Sequence, residues 1–278
     1  VERGSVETAG GKMKNYSLGW IPDVPDTRDV PFRYAFRLPD SLPASVDLRA
    51  GCSPVEDQEE LGSCTAQALV GALEFLQIKA GAPVKDLSRL FVYYNERARE
   101  GNILSDSGAM LRTGIKVLKH FGVCQESKWP YDISKFKLWP TPDCYEEGRK
   151  HQVTAYQRLN TLAEMKACLA MGLPFVFGFS VYASAMSDEA AKTGIIPMPD
   201  DNDSLQGGHA VMAVGYDDAN QAIIFRNSWG EGWGDMGYGW LPYAFLESRD
   251  LSDDFWCIQG TESDLYAMYK IPQMEAVA

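Results

Sequence analysis

Two hydrophobic periods divide this chain, and their order constrains its fold more than any single motif does. From Ser63 to Met171 apolar residues recur at helical spacing; after Pro174 the pattern is that of strands. Leu69, Leu73, Leu76 and Ala80 mark one face of a helix that starts at Ser63 and stops near Gly81. Further helices fit 88–100, 110–120 and 161–171. Thr161 and Glu164 form a capping box for the last of these, and Gly172 with Pro174 closes it. Residues 174–181 read as a buried strand, and 209–216 with 221–227 as a hairpin around Asp217-Asp218-Ala219-Asn220. Glycines at 230, 232, 234, 237 and 239 then alternate with Trp229, Trp233, Tyr238 and Trp240, which suits tight loops and twisted strands. Helices first and strands second predict an α+β domain with two lobes.

Residues 1–41 follow neither period. Gly10-Gly11 and Pro22, Pro25, Pro31 and Pro39, with Pro43 just beyond, predict an extended arm with little helix. The remaining residues, 42–278, read as one domain. At 278 residues and 45% hydrophobic content the chain can bury a core of normal size. A net charge of −12 argues against a sequence-independent grip on nucleic acid or an anionic membrane. Its longest apolar stretches, such as 173–179, fall short of the roughly 20 residues of a membrane helix. Val1 in place of methionine reads as a processed or trimmed start, and a secreted or periplasmic location is the expectation.

The chemistry starts at Cys64. Ser63 is a good N-cap residue, so Cys64 falls in the first helical turn, where free N–H groups and the helix dipole favour a thiolate. A base is needed, and the chain has only three histidines. His209 and Asn227 lie nine residues to either side of Asp218. Symmetric antiparallel pairing about that turn would set them side by side, with the amide fixing the imidazole. Gln58, six residues before Cys64, can join the Cys64 backbone N–H as an oxyanion donor. Trp229 can cover the pair.

In order and spacing, Gln58, Gly62-Ser63-Cys64, His209-Ala210-Val211 and Asn227-Ser228-Trp229-Gly230 resemble the papain-like cysteine proteases. His209 follows Cys64 by 145 residues and Asn227 by 163. Leu42-Pro43 and Val46-Asp47-Leu48-Arg49 look like the start of that family's mature domain, and the resemblance runs to about residue 262. It implies a helical left lobe, an antiparallel β right lobe and an active-site cleft between them. Cys64 would be nucleophile, His209 acid/base, Asn227 orienter and Gln58 oxyanion donor, with no cofactor or metal. Thr65, Leu61 and Gly208 depart from the family's usual residues and suggest a divergent, bacterial branch.

By the same resemblance Ser107-Gly108 would pair with a peptide or protein substrate, and Gly178, Gly208 and Ala210, with Trp229 beside them, would line its site. The arm would lie across the cleft as an intramolecular inhibitor, making the chain a zymogen. With Cys64 assigned, five cysteines remain; a bridge between Cys124 and Cys144 is favoured, and Cys52, Cys168 and Cys257 stay unpaired on paper. The alternatives are an acyl or amide transferase on the same triad, and a binding or effector protein that is catalytically silent.

Overall fold

A computed structural model of the chain describes residues 16–82 and 85–260. Gly10-Gly11 of the arm lies outside the described residues. The helices are α1 (Phe32–Ala35), α2 (Cys64–Lys79), α3 (Arg89–Glu100), α4 (Leu111–His120), α5 (Pro142–Gly148), α6 (Leu162–Ala170), α7 (Asp188–Thr193) and α8 (Tyr243–Glu247). The strands are β1 (Ser45–Asp47), β2 (Ala155–Arg158), β3 (Phe175–Tyr182), β4 (Leu205–Asp217), β5 (Ala222–Arg226), β6 (Tyr238–Pro242) and β7 (Ser252–Gln259). The strands form one antiparallel sheet in the order β2-β7-β3-β4-β5-β6, with β1 added against β4. This is the α+β arrangement that the two periods predict. Among the described residues no helix is long and apolar enough to cross a membrane.

The four helices read from periodicity are present, and their ends follow the local chemistry. Ser88 caps α3 by accepting from the Phe91 N–H at 3.1 Å, and Gly101 ends it with φ of 80°. Thr161 accepts from the Glu164 N–H at 3.2 Å. The Glu164 carboxylate reaches back one residue further than a capping box requires, to the N–H of Asn160 at 2.7 Å. Helices α5, α7 and α8 have five to seven residues, too few for a period to show. Helix α2 packs against β4, β3 and β7, so it stands between the helical lobe and the sheet.

The hairpin differs from the symmetric one. The β4–β5 register is Met212↔Arg226 and Ala213↔Phe225, then shifts at a bulge to Gly215↔Ile224. Strand β5 ends at Arg226, and the Asn227 N–H leaves the ladder for the Gly237 carbonyl at 2.9 Å. His209 and Asn227 are therefore not opposite in register. They meet because the chain turns back after Arg226 and the amide reaches across diagonally.

The arm is built into the molecule. Phe32 and Phe36 are buried in the hydrophobic core and stacked at 4.5 Å. The Arg158 N–H donates to the Val30 carbonyl at 2.9 Å. Arg112 of α4 is buried, and the acceptors of its guanidinium are Val24 and Asp29, both on the arm. Asp29 also lies 3.5 Å from Arg158. The compositional border at 41/42 is thus not a border in packing.

All six cysteines are thiols. The bridge expected between Cys124 and Cys144 is not formed. The two sulfurs lie against each other, but the Cys144 sulfur takes the Thr141 hydroxyl as a partner at 3.2 Å. Cys168 and Cys257, which spacing cannot pair, are also neighbours. Cys52 is the odd one, with its sulfur 3.8 Å from the Leu48 carbonyl.

Candidate active site

Cys64 opens α2, and the loop before it is fixed from the helical lobe. The Gly62 N–H donates to the Asp106 carboxylate at 3.0 and 3.1 Å, and Asp106 also accepts from the Tyr93 hydroxyl. Ser63, expected as N-cap, makes no capping bond; its hydroxyl meets the Tyr131 hydroxyl at 2.6 Å instead. The side chain that would have used a first-turn N–H is thus turned elsewhere, which leaves that end of the helix open to negative charge.

From the sheet side, β4 presents His209. The distance from its Nε2 to the Asn227 Oδ1 is 2.8 Å. An amide oxygen can only accept, so Nε2 carries the proton and Nδ1 holds the lone pair. Nδ1 has no hydrogen-bond partner among the described residues. The Asn227 oxygen is fixed in turn by the Ser228 N–H at 2.8 Å. Trp229 stacks on the imidazole at 4.7 Å, and Phe179 meets it edge-on at 5.8 Å. The Cys64 sulfur lies near the backbone N–H of Ala210, the residue after His209.

Gln58 is held to the same turn. Its N–H donates to the Ser228 carbonyl at 2.8 Å, and its Oε1 accepts from the Ser228 hydroxyl at 2.7 Å. Those bonds aim Nε2 outward, where it donates to Leu61 O at 3.0 Å and to Ser17 O of the arm at 2.9 Å.

Residues 16–21 of the arm lie in the cleft and touch both lobes. On the helical side, the Ala109 N–H donates to the Gly19 carbonyl at 2.8 Å and the Ile21 N–H to the Ala109 carbonyl at 3.0 Å, a parallel bridge. On the sheet side, the Trp20 N–H donates to the Gly208 carbonyl at 2.9 Å. The Trp20 ring lies on Gly178, where a Cβ would stand 1.9 Å from it. Tyr16 stacks on Trp229 at 4.9 Å and donates to its carbonyl at 2.8 Å. The Gly19 N–H reaches the Cys64 sulfur, and a Cβ on Gly19 would lie 1.9 Å from the Gly62 carbonyl oxygen.

Cys64 and His209 are both fully buried. Burial pushes the Cys64 thiol up to about 12, and burial pushes His209 down to about 4 against the opposing bond to Asn227. Both shifts favour the neutral forms, thiol and imidazole. Desolvation opposes the thiolate that the helix terminus favours on sequence grounds.

Of the expected substrate residues, Gly108, Gly178, Gly208 and Trp229 are gathered around the arm, and Ala210 meets the Cys64 sulfur. Ser107 is not: its hydroxyl turns to the Gly108 carbonyl at 3.1 Å, and the backbone pairing is made by Ala109. Gly108, with φ of 70°, leaves room for the Gly19 carbonyl. Gly19, Trp20, Tyr16 and Ala109 belong to no motif of the sequence. The one sequence signal for them is Trp20 itself, a lone tryptophan within the proline-rich arm.

A helical lobe and an antiparallel sheet bring a first-turn cysteine to a histidine–asparagine pair and a glutamine amide. The chain belongs to the papain family of cysteine proteases, whose family model matches residues 42–245. It is a papain-like cysteine peptidase. Among solved structures it is similar to xylellain, a cysteine protease from Xylella fastidiosa, with 42% identity, a TM-score of 0.81, and coverage of 91% of this chain and 99% of that one. It is 39% identical to the uncharacterized peptidase C1-like protein L477 of Acanthamoeba polyphaga mimivirus, over 87% of this chain and 86% of that protein. It is 32% identical to cysteine proteinase 2 of Entamoeba histolytica, over 70% of this chain and 62% of that protein.

Proposed function

We propose that the chain is an endopeptidase with Cys64, His209 and Asn227 as its triad, held shut by residues 16–21 of its own arm. The observation that carries this reading is the arm's position: an extended peptide sits on the Cys64 sulfur, and one of its carbonyls accepts from Gln58 Nε2. Once the arm leaves and water returns, the His209 Nδ1 takes the Cys64 proton. The thiolate attacks a peptide carbonyl, and the oxyanion is held by Gln58 Nε2 and the Cys64 N–H. The imidazolium gives its proton to the leaving amine, and an acyl-enzyme remains. Water, deprotonated by His209, then releases the acid and restores the thiol. Asn227 keeps the imidazole in the required tautomer throughout.

Labelling with an epoxysuccinyl peptide tests this reading. The full chain is expected to label slowly, a chain with a loosened arm quickly, and Cys64→Ala not at all. Absence of label from the first two would end the peptidase assignment of the triad.

The protonation states make a separate prediction. With the thiol near 12 the shut chain holds almost no thiolate at pH 6. Displacing the arm removes the desolvation and exposes the sulfur to the helix terminus, which lowers its pKa. Iodoacetamide at pH 6 should therefore alkylate Cys64 at least about 10-fold faster in an arm-displaced chain. Equal rates would show that the arm does not control ionisation.

A further inference from the structure

One carboxylate joins the two backbone segments that flank the arm on the helical side. Asp106 lies in the loop after α3, and both its oxygens accept from the Gly62 N–H, Oδ1 at 3.1 Å and Oδ2 at 3.0 Å. Oδ1 also accepts from the Tyr93 hydroxyl. That hydroxyl in turn accepts from the Gly108 N–H at 3.1 Å. Gly62 stands two residues before Cys64. Gly108 stands next to Ala109, whose N–H and carbonyl both pair with the arm. A continuous run of hydrogen bonds therefore leads from the turn that carries Cys64 to the segment that pairs with an extended peptide.

The run is braced from behind. Tyr93 is fully buried, so packing on α3 fixes its hydroxyl. Arg97, one turn further along α3, is also fully buried and lies over the Tyr93 ring at 4.3 Å. Its guanidinium donates to the carbonyls of Ile103 and Ser105, which holds the loop bearing Asp106, and to the carbonyl of Phe136. Asp106 itself is exposed and adds little to the core. Its place is explained by the donors it takes, through bonds of the stronger, charge-assisted kind.

We infer that Asp106 and Tyr93 are positioning residues of the peptidase, coupling the turn that carries Cys64 to the Gly108–Ala109 segment that takes the substrate backbone. This rests on the peptidase reading above. Neither side chain meets the substrate; each acts through a backbone N–H. A peptide carbonyl attacked by Cys64 must be held by one segment and reached by the other in a single geometry. An error of about 1 Å between them costs about 100-fold in rate. The two roles differ. Without the Tyr93 hydroxyl, Gly108 loses its acceptor while Gly62 stays on Asp106, so substrate binding weakens. Without the Asp106 carboxylate, Gly62 is released, and with it the sulfur and the oxyanion donor at the Cys64 N–H, so the chemical step slows.

The test uses the full chain carrying Trp20→Ala, which removes the ring that lies on Gly178 and leaves Gly62 and Gly108 untouched. For this parent, kcat and KM on a fluorogenic peptide amide are compared with those after Tyr93→Phe, Asp106→Asn, Asp106→Ala, and Tyr93→Phe with Asp106→Ala together. Asp106→Ala should lower kcat about 10- to 100-fold. Asp106→Asn should stay within about 3-fold of the parent, since one amide oxygen can accept from both Gly62 and Tyr93. Tyr93→Phe should raise KM about 5-fold and leave kcat nearly unchanged. In the double variant the loss of kcat/KM should be smaller than the product of the single losses, because both changes break one link. A kcat unmoved by Asp106→Ala, an Asp106→Asn loss as large as that of Asp106→Ala, or single losses that multiply in the double variant overturns the inference alone. A parent that cleaves no peptide overturns the peptidase reading, and this inference with it.

Discussion

Gly19→Ala should raise the peptidase activity of the full chain about 5- to 150-fold. The new Cβ would stand 1.9 Å from the Gly62 carbonyl oxygen, which is backbone and cannot swing aside. Gly62 is itself fixed by the Asp106 carboxylate, so the loop before Cys64 resists moving. Overpacking of this kind costs about 1–3 kcal/mol, and every 1.4 kcal/mol is a factor of ten in an equilibrium. The clash exists only with the arm docked, so the cost falls on the shut state and shifts the population toward the open one. Initial rates on a fluorogenic peptide, compared with the parent chain at equal labelled Cys64, measure it. An unchanged rate would mean that residues 16–21 do not limit access.

Removing residues 1–21 and removing residues 1–41 should give opposite results. The first cut takes away the residues over Cys64 and leaves Asp23, Asp29, Phe32 and Phe36, so the protein stays folded and becomes active. The second removes the fully buried Phe32 and strips Arg112 of both guanidinium acceptors. Loss of a buried phenylalanine costs about 3–5 kcal/mol, and an uncompensated buried charge about as much again. Together these approach the whole stability of an ordinary domain, roughly 5–15 kcal/mol. The longer deletion should therefore be insoluble or melt at much lower temperature, as thermal unfolding of the two forms will show. If the 1–41 deletion were as stable as the 1–21 deletion, the anchored half of the arm would be dispensable.

Much of the site was legible because its parts are local. Cys64 is in the first turn of a helix whose start and apolar face can be read directly. Thr161 and Ser88 cap the helices that they precede, because a side chain and an N–H two or three residues away need nothing from the rest of the molecule. A symmetric hairpin predicts the His209–Asn227 contact, and the contact is there while the symmetry is not. A bulge at Ala213/Gly215 moves the register, and a bulge depends on how the sheet twists, not on residue spacing. Short helices such as α7 and α8 carry no period. Cys124 and Cys144 bracket one loop and can be matched on the sequence, whereas Cys168 and Cys257 come from α6 and β7 and are brought together only by the fold.

By itself the sequence determined the class of the fold and the residues that can do chemistry, because helical period, strand period and side-chain type are properties of short segments. Only the tertiary structure decided the state of that chemistry. The arm lies over Cys64 because Gly19 and Gly108 let two backbones approach, and because Trp20 finds space over Gly178 and an acceptor on Asp254. Burial then opposes the helix terminus and pushes the thiol up. Desolvation and close approach depend on parts of the chain up to 234 residues apart, and no local pattern encodes them.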